Sequence, residues 1–317
     1  MNIAAVLKSN LLADLAVETY WQSGVRRPER LTPTWPLDLG RLAEVTVHWP
    51  AQYEWHYSAQ WFDPLIAGFK RYVRVEKTHI PQVPKIIITR FLYQGRIYPV
   101  VIDQSDYLDS IDEEWARKSL LYFKMHYAVG GYGSANIVPG GFVPHSGSVY
   151  RYLPYLRKIC KDRTYKYDVY SRFSLEFAGG IRQRIHKIIS AQDFQYGGGA
   201  SLVRYSRFLR EVAQSKICID VPGNADVCCR LIDYLAVGTC IIGLKPRTVF
   251  HAPMVDREHI AFVKPDLSDL ASLCNYYLEH SEEREQMAQN GRQFFDKYLH
   301  RDQIAAYYLS KFLEKVT

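Results

Sequence analysis

Long hydrophobic runs are missing from this chain of 317 residues. No apolar stretch approaches the roughly 20 residues that a membrane-spanning helix needs. The N-terminal segment, MNIAAVLKSNLLADLAVETYWQ, carries acidic residues where a secretory signal peptide needs an apolar core and a cleavage site. We therefore expect a cytoplasmic protein without a transmembrane segment.

Cysteine is scarce and is not spaced for metal binding. The six cysteines all lie between Cys160 and Cys274, and none belongs to a CxxC pair. Several stand in apolar contexts, which is typical of reduced thiols in a protein core. We expect neither a metal site nor another cofactor.

A block of like charge is also lacking. Forty Lys and Arg against thirty-three Asp and Glu give a net charge of +7, spread along the chain. This mild excess suits anionic ligands such as nucleotide sugars, nucleic acids or lipid headgroups. Because no basic stripe is visible, nucleic acid is the less favoured partner.

The segment Ser215 to Gly243, SKICIDVPGNADVCCRLIDYLAVGTCIIG, carries the clearest functional pattern. An apolar strand ends at Asp220, and a turn containing Gly223 follows. The next residues predict a helix with Asn224 or Asp226 as its N-cap. This arrangement is typical of a phosphate or nucleotide pocket, since a helix N-terminus beside the carboxyl end of a parallel strand binds anions.

The predicted helix carries a cation and an anion one turn apart, and it ends at Gly238, where Thr239 leads into a second apolar strand. Arg230 can clamp phosphate oxygens, and Asp233 can accept protons from two ribose hydroxyls. A solvated ion pair between these two side chains explains the spacing equally well.

At this point the C-terminal half resembles the donor-binding domain of GT-B glycosyltransferases. The resemblance runs from Tyr205 to Leu313 and includes the segment above, AFVKPDLSDLASLCNYYL, and EEREQMAQNGRQFFDKYL. It implies that Asp233, where the family usually has glutamate, contacts the ribose of a nucleotide sugar, with Gly238 and Thr239 closing the motif. The first half resembles the family only loosely.

The catalytic candidates lie at two predicted strand ends in the first half. The segment IYPVVIDQSD ends with Asp103 and Asp106, and LLYFKMHY contains His126. An inverting sugar transfer needs a group that accepts the proton of the acceptor hydroxyl, so these three residues are candidate bases. A turn-capping role for either aspartate, or a purely structural histidine, remains the alternative.

Further cations are candidates for donor binding. Lys124 ends an apolar strand, where its ammonium group could reach a diphosphate, although a lysine snorkelling to solvent fits as well. Arg182 and Arg184 follow a Gly-Gly pair at a predicted helix start, where they could hold phosphates or form a solvated basic face. Sugar rings or nucleic-acid bases could stack on a cluster of aromatic residues, most of which are expected to be core or rim: Trp49, Tyr53, Trp55, Tyr57 and Trp61.

The order of elements predicts an α/β protein with two Rossmann-like domains of GT-B type and a cleft between them. We expect an acceptor-side domain over residues 1–150, a nucleotide-sugar-binding domain over 151–300, and a C-terminal helix over 301–317 that crosses back to the first domain. The dense Gly and Pro cluster from Gly130 to Pro154 marks the predicted connection.

The sequence thus predicts metal-independent transfer of a hexosyl group from a nucleotide diphosphate sugar to an acceptor that the sequence does not identify. Two alternatives stay open. A catalytically silent nucleotide-sugar-binding protein would need only the second half, and a protein that binds or modifies nucleic acid would use the basic and aromatic residues.

Overall fold

The first of two α/β units is built on a six-stranded sheet. The computed structural model of the chain describes residues 3–23 and 31–316. The strand order is β2-β1-β3-β4-β5-β6, and only β3 runs antiparallel to its neighbours. Its strands and helices are β1 (Thr46–Pro50), β2 (Arg74–Thr78), β3 (Ile86–Tyr93), β4 (Arg96–Asp103), β5 (Leu121–Lys124), β6 (Ile137–Pro139), α1 (Ile3–Ser23), α2 (Leu39–Leu42), α3 (Ser58–Phe69) and α4 (Glu113–Lys118).

The antiparallel strand comes from a tight hairpin that the sequence reasoning missed. Gln94 and Gly95 both have positive φ, 49° and 74°, which joins β3 to β4 in two residues. Such a turn matches the right-handed twist of paired strands. As a result, the start of β3 lies at the same edge of the sheet as the ends of β4 and β5.

The second unit has a five-stranded sheet in which all strands are parallel, in the order β11-β10-β9-β7-β8. Its strands and helices are β7 (Tyr167–Arg172), β8 (Tyr196–Gly199), β9 (Ser215–Asp220), β10 (Cys240–Leu244), β11 (Ala261–Val263), α5 (Val149–Lys161), α6 (Gly179–Ser190), α7 (Tyr205–Ala213), α8 (Cys229–Val237), α9 (Leu270–Glu279), α10 (Ser281–Phe294) and α11 (Arg301–Lys315). The direction of chain progression reverses between β7 and β9, which makes their carboxyl ends the topological switch point.

Glycine and proline residues stand at several places inside the regular elements. Gly197 to Gly199 lie in β8, where Gly198 adopts φ 108° and a Cβ atom would lie 1.8 Å from the carbonyl oxygen of Ser171. Helix α5 begins inside the Gly and Pro cluster that predicted the interdomain connection. Pro64 lies within α3.

Helix α11 returns to the first sheet. Its Tyr308 stacks on Phe123 with ring centroids 3.8 Å apart, and Phe312 packs edge-on against Phe91. The α/β class with two separate, mostly parallel sheets is confirmed, whereas the GT-B type and the domain limits at residues 150 and 300 stay predictions. In the described part of the chain, no helix is both long and apolar enough to cross a bilayer.

Candidate active site

A cavity of about 570 Å³ lies where the carboxyl edge of the first sheet meets the second unit. The chain segments that follow β1, β4, β5 and β6 form most of it, and the segment between β9 and α8 completes it. The lining residues are Glu54, Trp55, Trp61, Phe62, Pro84, Lys85, Gln104, Ser105, Asp106, Tyr107, Met125, His126, Phe142, Val143, Val227 and Cys229. Cavities of this size at carboxyl strand ends are usual ligand sites in α/β proteins.

Two of the three predicted catalytic residues, Asp106 and His126, meet in this cavity. Desolvation raises the pKa of Asp106, and the nearby Lys124 ammonium opposes that shift. Desolvation lowers the pKa of His126 to about 4, with Lys124 acting in the same direction. At neutral pH the imidazole is therefore uncharged, and Asp106 is a stronger base than an aspartate whose pKa is not raised.

Asp103 lies beneath the cavity and not in its lining. Its carboxylate forms a buried ion pair with Lys124, with Nζ 3.1 Å from Oδ2, and Tyr122 donates a 2.7 Å hydrogen bond to the same oxygen. The Lys124 side chain is fully buried, so its ammonium does not reach a ligand directly. The predicted roles of Asp103 as base and of Lys124 as diphosphate contact are not supported by this placement.

The switch point of the second sheet holds two cations together. Arg182 donates to the carbonyl oxygens of Ser174 and Pro222, at 2.6 and 3.1 Å, and Arg230 donates to that of Val221 at 2.6 Å. Both guanidinium carbons lie 5.4 Å from the centroid of the Phe173 ring. The two arginines therefore tie the segments after β7 and β9 to each other.

An acidic group partly compensates this charge. Asp220 Oδ1 lies 3.3 Å from Nε of Arg230, and burial raises the pKa of this carboxyl to about 6, against the opposing effect of Arg230. Gly223 lies over the cluster, where a Cβ atom would be 3.3 Å from Nη2 of Arg182 and 3.0 Å from Sγ of Cys228. A small residue at this turn thus leaves room for the guanidinium group.

Asp233 is on the same helix as Arg230 but lies in a separate, fully buried environment. Its Oδ1 accepts hydrogen bonds from Oη of Tyr205 at 2.6 Å and from the backbone N–H of His145 at 3.2 Å. Burial raises its pKa to about 7, although both hydrogen bonds act against this. The structure therefore does not show Arg230 and Asp233 as a solvated ion pair, nor does it bring them into one pocket.

The remaining predicted donor residues are dispersed. Asn224 is exposed, and neither it nor Asp226 caps α8, whose N-cap is Cys228. Arg184 bonds the carbonyl oxygen of Asp266 on the surface. Gly238 and Thr239 lie at the amino edge of the second sheet, opposite the switch point. Helix α8 starts at the carboxyl edge and runs back to the amino edge, where β10 begins.

The cavity also contains residues that sequence reasoning did not single out: Lys85, Tyr107, Phe142 and Cys229. Lys85 has a φ of 72°, an uncommon conformation for lysine, and its ammonium lies 4.8 Å from the ring centroid of Tyr107. No local pattern marked it, because it reaches this edge only through the antiparallel course of β3. Of the five aromatic stacking candidates, Trp55 and Trp61 line the cavity, with ring centroids 4.9 Å apart, whereas Trp49 is buried in the core.

Both units contribute to one polar chain at the back of the cavity. His126 Nδ1 lies 3.4 Å from Thr248 Oγ1, and the backbone N–H of Thr248 donates to Asp226 at 2.8 Å. Within residues 3–23 and 31–316, no group of three or more His, Cys, Asp or Glu side chains is placed to hold a metal ion.

Residues 174–310 match the profile of a family described as glycosyl transferase-like. This range begins directly after β7 and contains the switch point, α8 and most of α11. The matched range covers less than half of the chain. The chain has no match among curated protein sequences.

Solved structures similar to the chain include domains of related description. The C-terminal domain of a group 1 family glycosyl transferase from Francisella tularensis is 13% identical, with a TM-score of 0.31, over 44% of this chain and 90% of that one. A sucrose-phosphate synthase from Thermosynechococcus elongatus is 14% identical (TM-score 0.35; 58% and 53% covered). A UDP-N-acetylglucosamine 2-epimerase is 12% identical (TM-score 0.32; 63% and 58% covered). The chain thus spans little more than half the length of the last two.

Proposed function

We propose that the protein transfers a hexosyl group from a nucleotide diphosphate sugar to an acceptor, without a required metal ion, in the cavity between its two sheets. The observation that carries the proposal is that both units line one cavity. The first unit contributes candidate acid–base residues, and the second contributes the start of a helix. Asp106 and His126 stand on one wall, and the N-terminal residue of α8, Cys229, stands on the other. This second wall belongs to residues 174–310, the range that matches the glycosyl transferase-like family.

In the proposed reaction Asp106 accepts the proton of the acceptor hydroxyl while the oxygen of that hydroxyl attacks the anomeric carbon. The bond between that carbon and the diphosphate breaks, and the negative charge on the leaving diphosphate rises. Arg182, Arg230 and the unpaired N–H groups at the start of α8 offset this charge. Neutral His126 is a hydrogen-bonding partner for the sugar, since its low pKa makes it the weaker base.

The first experiment is a thermal-shift screen of the full chain against UDP, GDP, ADP and dTDP sugars. A ligand that binds only the folded protein must raise its melting temperature, by mass action. The nucleotide sugar that stabilises the chain is then incubated with it, and release of the nucleoside diphosphate is measured with and without EDTA. Equal rates with and without the chelator are expected; loss of the rate on chelation would overturn metal independence.

The two arginines of α6 allow a matched comparison. Arg182 lies at the switch point and Arg184 on the surface, two residues away on the same helix. We expect Arg182→Ala to weaken nucleoside diphosphate binding at least tenfold, about 1.4 kcal/mol, and Arg184→Ala to leave it unchanged. Since Arg182 also joins two loops, the melting temperature of both variants is measured alongside, and Arg182→Lys tests the need for the fork. Equal affinities for both alanine variants would overturn the switch-point donor site.

A catalytically silent nucleotide-sugar-binding protein is the second candidate. One observation favours it: Arg182, Arg230 and Asp103 all have partners within the protein. Such a protein would bind the donor without turnover, and Asp106→Asn would change nothing measurable. A transferase would lose at least 100-fold of its rate with the same substitution, as expected when a general base is removed.

A further inference from the structure

The loop that follows β4 presents two side chains of complementary hydrogen-bonding capacity to the cavity. Ser105 and Asp106 are adjacent, and both line it. The Asp106 carboxylate has no hydrogen-bond or ion-pair partner among the residues that the structure describes. It is therefore available to accept a proton or a hydrogen bond from a ligand.

The hydroxyl group of Ser105 is oriented from behind. Lys124 Nζ donates to Ser105 Oγ over 2.7 Å, and the backbone N–H of Ser105 donates to Asp103 Oδ1 over 2.8 Å. Ser105 Oγ accepts the hydrogen bond from the ammonium group. The hydroxyl proton of Ser105 itself has no acceptor among residues 3–23 and 31–316. Ser105 is only 7% exposed, and the cavity is the open space beside it.

We propose that Ser105 and Asp106 together bind one neutral hydroxyl group of the sugar acceptor. Ser105 donates its Oγ proton to the acceptor oxygen, and Asp106 accepts the acceptor proton. A hydroxyl is the group that both gives and takes one hydrogen bond at the same oxygen, whereas a phosphate or carboxylate would be repelled by Asp106. The inference rests on the proposed function and names the class of group that the acceptor side recognises.

Lys124 is a positioning residue in this arrangement. A hydrogen bond from a charged donor is short and strong, and the Asp103 ion pair fixes the position of Nζ. The buried pair therefore sets the direction in which the Ser105 proton points, without touching the ligand. This gives a purpose to a fully buried lysine that cannot itself reach the cavity.

Binding is tested with the full chain and a panel of methyl hexopyranosides, by saturation-transfer NMR in the presence of the nucleoside diphosphate that stabilises the protein. We expect Ser105→Ala to weaken glycoside binding about tenfold, through loss of one hydrogen bond. Ser105→Thr, which keeps the hydroxyl, should restore most of the affinity. Ser110→Ala is the matched control, since Ser110 is an exposed residue of the same loop outside the cavity.

The positioning role is tested by a double-mutant cycle. Lys124→Met is made together with Asp103→Asn, so that no unpaired charge remains buried. This pair should weaken glycoside binding a few-fold, and adding Ser105→Ala should cost less than it does in the wild-type background, because both changes act on one proton. Strictly additive losses would overturn the role of Lys124, and a merely structural effect would lower the melting temperature without such coupling.

The outcome also separates this inference from the proposed function. If Ser105→Ala binds glycosides as well as the wild type, or if no glycoside binds to the wild type, the inference is overturned. Hydrolysis of the nucleotide sugar by the wild-type chain in the absence of an acceptor reports on the proposed function alone. A wild-type chain that neither binds nor hydrolyses any donor would instead overturn the proposed function.

Discussion

Burial shifts the pKa values of two titratable residues in opposite directions, upward for Asp233 and downward for His126. Asp233 is a carboxyl with two hydrogen-bond donors on one oxygen and none on the other. His126 is an imidazole with a neighbouring ammonium group. Ionisation of either group costs free energy in the folded state. The free energy of unfolding therefore depends on pH, and substitution of each residue isolates its contribution.

Asp233→Asn should stabilise the protein increasingly as the pH rises. The carboxyl titrates near 7 in the folded chain and near 3.9 when unfolded. The folded state thus binds this proton more tightly than the unfolded state. The stability that the proton adds to the wild type is complete below about pH 4 and disappears as the pH rises through 7. Between pH 5 and 8 we expect the variant to gain about 2 kcal/mol in free energy of unfolding over the wild type.

Urea unfolding at several pH values measures this difference. Asparagine keeps an oxygen for Tyr205 and His145, so the comparison changes little besides the charge. A difference that does not vary with pH would contradict the raised pKa.

His126→Gln should show the opposite dependence. The imidazole titrates near 4 in the folded state and near 6.5 when unfolded. Its contribution is therefore complete above about pH 6.5 and is lost as the pH falls through 4. Between pH 7 and 4.5 the wild type should lose about 2 kcal/mol more than the variant.

Unfolding at these two pH values is the measurement. The other histidines with lowered pKa, His145, His251, His259 and His300, remain in both proteins, so their contributions cancel. Equal losses on acidification would mean that His126 ionises freely in the folded protein.

At the scale of elements, α8 starts beside both the cavity, which Cys229 lines, and the switch point, where Arg230 lies. It begins at Cys229, which lines the cavity, and ends at Gly238, whose φ of 88° provides the left-handed C-terminal cap. Its N-cap, Cys228, has the extended conformation of a capping residue but makes no capping hydrogen bond with its side chain. The backbone N–H of Leu231 donates to the carbonyl oxygen of Cys228, so the N–H groups of Cys229 and Arg230 are the ones left for a ligand.

Substitution of Cys228 should separate helix stability from donor binding. Cys228→Ser supplies a capping oxygen and should raise the free energy of unfolding by about 0.5–1 kcal/mol. Cys228→Asp should stabilise the helix similarly but weaken nucleoside diphosphate binding about tenfold, because its charge repels the diphosphate and pairs with the neighbouring Arg182. Chemical unfolding and calorimetric titration give the two quantities. If aspartate leaves the affinity intact, the diphosphate does not bind at this helix end.

At the scale of the whole molecule, α11 joins the end of the chain to the first sheet. Tyr308 and Phe312 fill the space between α3 and the sheet, where both are fully buried. Closest approach occurs at Gly68 of α3, where a Cβ atom would lie 2.4 Å from the carbonyl oxygen of Arg301 and 3.2 Å from Cβ of Ala305. The glycine thus sets how close the helix can lie.

Gly68→Ala should destabilise the protein by about 1–3 kcal/mol, since the new methyl group meets rigid backbone. Gly180→Ala, in helix α6, meets no atom within 4 Å and should stay within about 1 kcal/mol of the wild type. Thermal unfolding of both variants tests the packing of α11. Equal melting temperatures would show that α11 is free to move away from α3.

Local patterns in the sequence determined much of the second unit and the composition of the site. The strand, turn, helix and strand from Ser215 to Gly243 follow from apolar runs and from a glycine at the helix end, both of which act over a few residues. The same reasoning found Asp106, His126 and Arg182 as strand-end or helix-start residues, before any contact between them was known.

Only the tertiary structure decided which of these side chains share a space. Asp103 and Asp106 differ by three positions, yet the pairing of β4 with β5 buries the first against Lys124 and leaves the second in the cavity. Lys85 arrives by the reversal of β3, and Arg182 meets Arg230 because β9 lies beside β7 in the sheet. Sequence periodicity records which face of an element is apolar, whereas the edge and neighbour of each side chain depend on pairings between distant strands.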